Sequence, residues 1–190
     1  MPRVIVALML KGLDATPENH AEMMKRARGL LAPHGCRVID ARIGRRRVEV
    51  DFFADDIQSA VSALSTWAPI EYFREVGVSE DRSEEELVSL AAELFNEERF
   101  WEAHEVLEQV WRTKRGAERE VLSGLIKLAA AFVHLQKGRP QNFFKLLNAA
   151  MSHLSGWSRE KYHLIDIARL RDEIRTTLAS RSPRYITFSA

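Results

Sequence analysis

The spacing of apolar residues changes near residue 80, and that change decides what the chain can fold into. Before it, apolar residues form short continuous or alternating runs, the habit of strands, separated by two stretches with helical spacing. After it, every apolar pattern recurs at three and four residues, the habit of helices. Residues 4–10 are apolar throughout, as a strand buried on both faces requires. Thr16 before Pro17 predicts a helix start, and Met23, Met24, Ala27, Leu30 and Leu31 give that helix one apolar face. Residues 37–43 and 48–52 alternate around a Gly44-Arg45-Arg46 turn, which predicts a β-hairpin. Asp55 with Gln58 fits a capping box for a second helix, and residues 70–76 read as a last strand. The order is β-α-β-β-α-β, a ferredoxin-like topology with strands one and three in the centre. Strand one is apolar on both sides, so the face its own helices leave bare must meet the helical domain or a second subunit.

The second half predicts an all-α array of about five helices. Ser83 with Glu86 forms a capping box, and helices follow over about residues 100–113, 118–136, 143–154 and 159–180. The expected organisation is therefore α+β in two domains: residues 1–78, ferredoxin-like; residues 83–180, all-helical; and residues 181–190, a tail or surface arm. Residues 96–108 and 138–150 echo each other at an offset of 42, which suggests stacked helical hairpins.

Composition closes several alternatives. Acidic and basic residues nearly cancel, leaving a net charge of +1, so the chain is not a general polyanion binder. Its one cysteine, Cys36, excludes an intrachain disulfide, a cysteine-based zinc site and an iron–sulfur cluster. The apolar run at the start is too short to span a membrane and is followed by no cleavage pattern. These features predict a cytoplasmic protein with no membrane association, and no cofactor is read from them.

The unusual stretch is Phe100-Trp101-Glu102-Ala103-His104-Glu105-Val106-Leu107-Glu108-Gln109-Val110-Trp111. Trp101, His104, Glu108 and Trp111 are spaced three, four and three apart and fall on one helical face. A histidine and a glutamate at that spacing can pair, with the carboxylate fixing the imidazole tautomer. Residues 121–135 are apolar nearly all round, so they predict a central buried helix; its polar exceptions are Ser123, Lys127 and His134, along one stripe. Two such stripes facing each other would enclose a compact pocket.

His104, Glu108 and Trp111, followed by Gly124-Leu125-Ile126-Lys127-Leu128-Ala129-Ala130-Ala131, resemble domain-of-unknown-function family 309, whose signature is His, three residues, Glu, two residues, Trp. The resemblance covers about residues 87–154. It implies a compact α-helical array and brings no activity or cofactor with it; the ferredoxin-like part lies outside it.

Three functions stay open. The first is a ligand-binding or catalytic helical domain, with His104 and Glu108 as candidate catalytic residues, no evident nucleophile beyond the option of Ser123, and Trp101, Glu105, Trp111, Ser123, Lys127 and His134 as ligand-binding candidates. The second is a protein-interaction or regulatory module, working as a homodimer or with a protein partner, in which His104–Glu108 is a structural lock. The third is an RNA adaptor gripping through Arg42, Arg45, Arg46 and Arg47. The third is disfavoured, because strand three presents Arg47, Glu49 and Asp51 where an RNA-binding sheet places aromatics. No metal site is read: His104-Glu105 begins like a zinc-protease pattern, but position 108 is Glu rather than a second His.

Overall fold

A computed structural model describes residues 1–77 and 82–189. The predicted linker at 77–82 lies mostly outside the described residues. The chain divides into two compact units, Met1–Glu80 with Gln136–Gly138, and Asp81–Leu135 with Arg139–Ala190.

The first unit is ferredoxin-like. Its strands are β1 (Arg3–Met9), β2 (Arg37–Ile43), β3 (Arg47–Phe53) and β4 (Ile70–Glu75), with helices α1 (His20–Leu31) and α2 (Ile57–Ser65) in the two crossovers. The sheet order is β2-β3-β1-β4, which puts strands one and three in the centre, as the topology predicts. α2 is capped by Asp56, whose side chain accepts from the Ser59 amide at 3.0 Å, one residue later than the predicted Asp55. One sheet face is apolar: Val4, Val6 and Leu8 on β1 pair in register with Phe52, Val50 and Val48 on β3, beneath the helices.

The other face departs from the sequence reading. Arg47, Glu49 and Asp51 are buried, and so is Arg42. Arg42 lies directly opposite Glu49 in the β2–β3 register. Its Nε donates to Glu49 at 3.0 Å, and its guanidinium also donates to Asp51 at 3.1 Å. Arg3 closes on both Asp51 oxygens at 2.9 and 2.7 Å, and the Tyr72 hydroxyl donates to Glu49 at 2.8 Å. Arg47 forms a two-pronged pair with Glu71 at 2.9 and 2.8 Å. Burial opposes the Arg42 charge, but the Glu49 and Asp51 carboxylates beside it outweigh that and hold the guanidinium protonated. Alternating charges on adjacent strands satisfy one another here, so the face that presents Arg47, Glu49 and Asp51 is a buried ion-pair network. Removing one member strands its partners. Asp51→Ala is expected to lower unfolding free energy by about 3–5 kcal/mol in urea titration, against a near-neutral change for the exposed Glu75→Ala.

The second unit contains α3 (Glu84–Asn96), α4 (Phe100–Thr113), α5 (Gly116–Gln136), α6 (Pro140–Ser155) and α7 (Ile167–Ser180). The Ser83–Glu86 capping box forms as predicted, with the Ser83 amide donating to Glu86 at 2.8 Å and the Glu86 amide to Ser83 Oγ at 3.3 Å. The internal echo is real, but its offset is 40. Glu98 (φ 67°) and Gly138 (φ 65°) take the same left-handed turn before the N-caps Arg99 and Arg139, and Ala103, Leu107 and Val110 match Phe143, Leu147 and Ala150 in the core.

Two ends differ from expectation. The last helix starts at Ile167, not near 159, because Lys161–Tyr162 pairs with Ile165–Asp166 as a two-stranded ribbon, β5–β6, and Asp166 then caps α7. After α7, residues 181–184 are exposed, whereas Ile186 and Phe188 are buried. Phe188 stacks on Phe95 with ring centroids 4.0 Å apart, and its backbone exchanges hydrogen bonds of 2.7 and 2.8 Å with the Asn96 amide group.

The ribbon is tied to α3 through Glu84, which accepts from the Tyr162 hydroxyl and His163 Nε2 at 3.0 Å each and pairs with Lys114 at 2.5 Å. Burial works against the Glu84 charge, but Lys114, His163 and Tyr162 together hold its carboxyl below the usual range. A depressed acid stabilises the fold above its unfolded pKa and loses that stabilisation as pH falls. Melting temperature is therefore expected to drop on acidification below about pH 4.5, with a shallower slope in Glu84→Gln when melts are followed by circular dichroism.

Candidate functional site

α4 and α5 are joined at two points, each made by a residue of the His-x-x-x-Glu-x-x-Trp motif. At one end the Trp111 indole donates to Ser123 Oγ at 2.8 Å, Ser123 donates onward to the Arg119 carbonyl at 2.8 Å, and the Arg119 guanidinium lies over the Trp111 ring at 3.5 Å. At the other end His104 Nδ1 lies 3.4 Å from the Ile126 carbonyl. A carbonyl can only accept, so this contact requires the hydrogen on Nδ1. His104 Nε2 then faces Glu108 Oε1 at 3.6 Å, too long for a direct hydrogen bond. The second Glu108 oxygen is 3.5 Å from Arg112. The motif's outer residues pin two helices together, while Glu108 makes no bond to α5.

Between the pins opens a cavity of about 350 Å³. His104, Glu108 and Trp111 line it from α4; Ser123, Ile126, Lys127 and Ala130 line it from α5; Leu146 and His153 line it from α6. Lys127 is half-buried and makes no hydrogen bond or ion pair with any described residue. His153 Nδ1 is 2.7 Å from Glu120, which fixes that ring from outside.

The predicted site is thus brought together in large part. His104, Glu108, Trp111, Ser123 and Lys127 share one cavity; Trp101, Glu105 and His134 are not in its lining. His134 lies on the same stripe of α5 as Lys127, but seven residues put it about 10 Å further along the axis. Ser123 spends its hydroxyl hydrogen on a backbone carbonyl, so it is not poised as a nucleophile. With its hydrogen on Nδ1 toward the Ile126 carbonyl, His104 keeps the Nε2 lone pair, which is turned toward Glu108 at 3.6 Å. Of the arginines named for nucleic acid, Arg42 and Arg47 are buried in ion pairs and only Arg45 and Arg46 are exposed at the turn, which breaks the basic stripe. Ligand atoms of His104, Glu105 and Glu108 lie within 4.8 Å of one another.

The model of the family described as Domain of unknown function (DUF309) matches residues 88–146. This stretch is a DUF309 domain. The DUF309 segment contains both helix pins and most of the cavity wall, while His153 lies beyond it and the ferredoxin-like unit is additional to it. The solved structure of a conserved hypothetical protein from Thermus thermophilus is similar, with 34% identity over 48% of this chain and 94% of that one and a TM-score of 0.42. No curated protein matches the chain. No helix among the described residues is long and apolar enough to cross a membrane.

His153 and Leu146 are not legible as site residues from the sequence. The signal that could have found them is Gly124, a glycine inside the most apolar helix. A Cβ there would sit 2.6 Å from Leu154 Cγ and 3.2 Å from the Ala150 carbonyl, so glycine is what lets α6 approach α5. Gly124→Ala should lower stability by about 1–3 kcal/mol through overpacking, measured by chemical denaturation. A gain of about 1 kcal/mol, as at an unobstructed helix position, would show that the helices are not in contact there.

Proposed function

We propose that the DUF309 domain of this chain binds a small anionic ligand, with an apolar body, in the cavity between α4, α5 and α6. The observation that carries this reading is Lys127. Its ammonium belongs to a half-buried side chain in a cavity walled by Trp111, Ile126, Ala130 and Leu146, with no carboxylate within ion-pair distance among the described residues. A buried cation normally finds a partner in the protein; one left for a ligand supplies a charge-assisted hydrogen bond worth more than a neutral one. The indole and aliphatic walls would hold the ligand's apolar part, and His153 Nε2, with Nδ1 held by Glu120, is available as a second polar contact.

The reading is one of binding rather than nucleophilic catalysis, because the Ser123 hydroxyl on the cavity wall is committed to the Arg119 carbonyl. A test is ligand-observed nuclear magnetic resonance with a panel of small aromatic and aliphatic carboxylates and phosphate monoesters. At least one is expected to bind the wild-type chain and to weaken by about 10- to 100-fold with Lys127→Ala, the loss of one charged hydrogen bond. Binding that Lys127→Ala leaves unchanged would place the ligand elsewhere.

A further inference from the structure

We infer that the anionic group bound in this cavity is a phosphate monoester, held between Lys127 of α5 and His153 of α6. The inference rests on the anion-binding reading and narrows it to one chemical class. It begins with how the two helices run. Phe132 packs on Phe143, Gly124 lies against Ala150, and Glu120 meets His153. Successively earlier residues of α5 face later residues of α6, so the two are antiparallel. A helical side chain leans toward the N-terminus of its own helix. Lys127 therefore leans back toward Ser123, and His153 leans back toward Ala149. In an antiparallel pair those directions are opposed. The two side chains approach the stretch beside Gly124 from opposite ends, and both line the cavity there.

The His153 ring decides which anion fits. Its Nδ1 is 2.7 Å from the Glu120 carboxylate, which accepts, so the hydrogen of the neutral ring is on Nδ1. Glu120 is not part of the lining, so this edge of the ring faces away from the cavity and Nε2 belongs to the edge that borders it. Nε2 makes no hydrogen bond or ion pair with a described residue. A lone pair there repels an anion; the same nitrogen attracts one once it carries a proton. A phosphate monoester can bring that proton, because its second ionisation lies at about pH 6. The proton passes from a phosphate oxygen to Nε2, leaving a dianion beside an imidazolium that Glu120 neutralises from behind. A carboxylate is already deprotonated near neutral pH and carries one charge, which Lys127 alone satisfies. The phosphate dianion has the charge and the oxygens to use both donors. The carboxylate on the opposite wall, Glu108, faces His104 and Arg112 at 3.6 and 3.5 Å, which leaves the α5–α6 side to the anion.

The test is calorimetric titration of the full chain with three probes: phenyl phosphate, phenylacetate and inorganic phosphate. Phenyl phosphate is expected to bind at least about tenfold more tightly than phenylacetate, the scale of one further charged hydrogen bond. It should also exceed inorganic phosphate by at least about tenfold, since the free ion has no ring to bury against Trp111 and Leu146. His153→Ala should weaken phenyl phosphate by at least about tenfold and phenylacetate by no more than about twofold, whereas Lys127→Ala weakens both. His153→Gln places a neutral donor near the position of Nε2 and is the second variant should His153→Ala not fold, as circular dichroism melts will show; it too should narrow the preference for phosphate. Equal binding of phenyl phosphate and phenylacetate, or a preference that survives the His153 substitutions, overturns the inference and leaves the anion reading standing. Inorganic phosphate binding as tightly as phenyl phosphate overturns the monoester assignment. Failure of all three probes at millimolar concentration overturns the inference, and failure of the whole carboxylate and phosphate panel overturns the reading beneath it.

Discussion

A helix enclosed on nearly all sides can carry a polar side chain only where a partner, water or an opening meets it, and α5 imposes that constraint on the whole helical unit. No residue from 121 to 136 is exposed. Its Ser123 hydroxyl is satisfied by Trp111 and the Arg119 carbonyl, and its Gly124 admits α6 to close contact. Lys127 is the exception, with neither a partner among the described residues nor an exposed position. The cavity exists where α4, pinned at both ends of its motif, and α6, drawn in at Gly124, leave room around that lysine.

This gives the family motif a physical division of labour. Trp111 is both wall and fastener, since its indole nitrogen is committed to Ser123 while its ring is covered by Arg119. His104 is held from α5 through Ile126. Glu108 lies between the two, fastened to neither α5 nor α6, with its oxygens at long range from His104 and Arg112. A residue that contributes little to the fold, yet sits half-buried on a cavity wall beside a second carboxylate, fits a binding role better than a structural one.

Much of this is legible in the sequence because helical and strand periods are local properties. The bounds of α4, the capping box at Ser83 and the central position of β1 and β3 follow from spacing and from the handedness of crossovers. The convergence of His104, Glu108, Trp111, Ser123 and Lys127 is also visible, since stripes on two adjacent helices can be aligned without knowing distances. What escapes the sequence depends on partners remote along the chain. The pairing of Arg42, Arg47, Glu49 and Asp51 is not legible because alternation says which residues share a face, not what satisfies them; Arg3, Glu71 and Tyr72 also do so, from other strands. Phe188 reads as part of a tail because nothing local announces its stack on Phe95. His134 joins the pocket by angle alone, where axial distance decides.

The central claim is that the His104–Glu108 pair is kept for a bound group and does not lock the fold. A double-mutant cycle on stability measures this most directly, comparing His104→Ala, Glu108→Ala and both together by chemical denaturation. A half-exposed pair at 3.6 Å should couple by no more than about 0.5 kcal/mol, the scale of an exposed i,i+4 helix pair. Losses of about 1–3 kcal/mol for each single change, with the double change costing clearly less than their sum, would mark a buried hydrogen-bonded lock and contradict the claim.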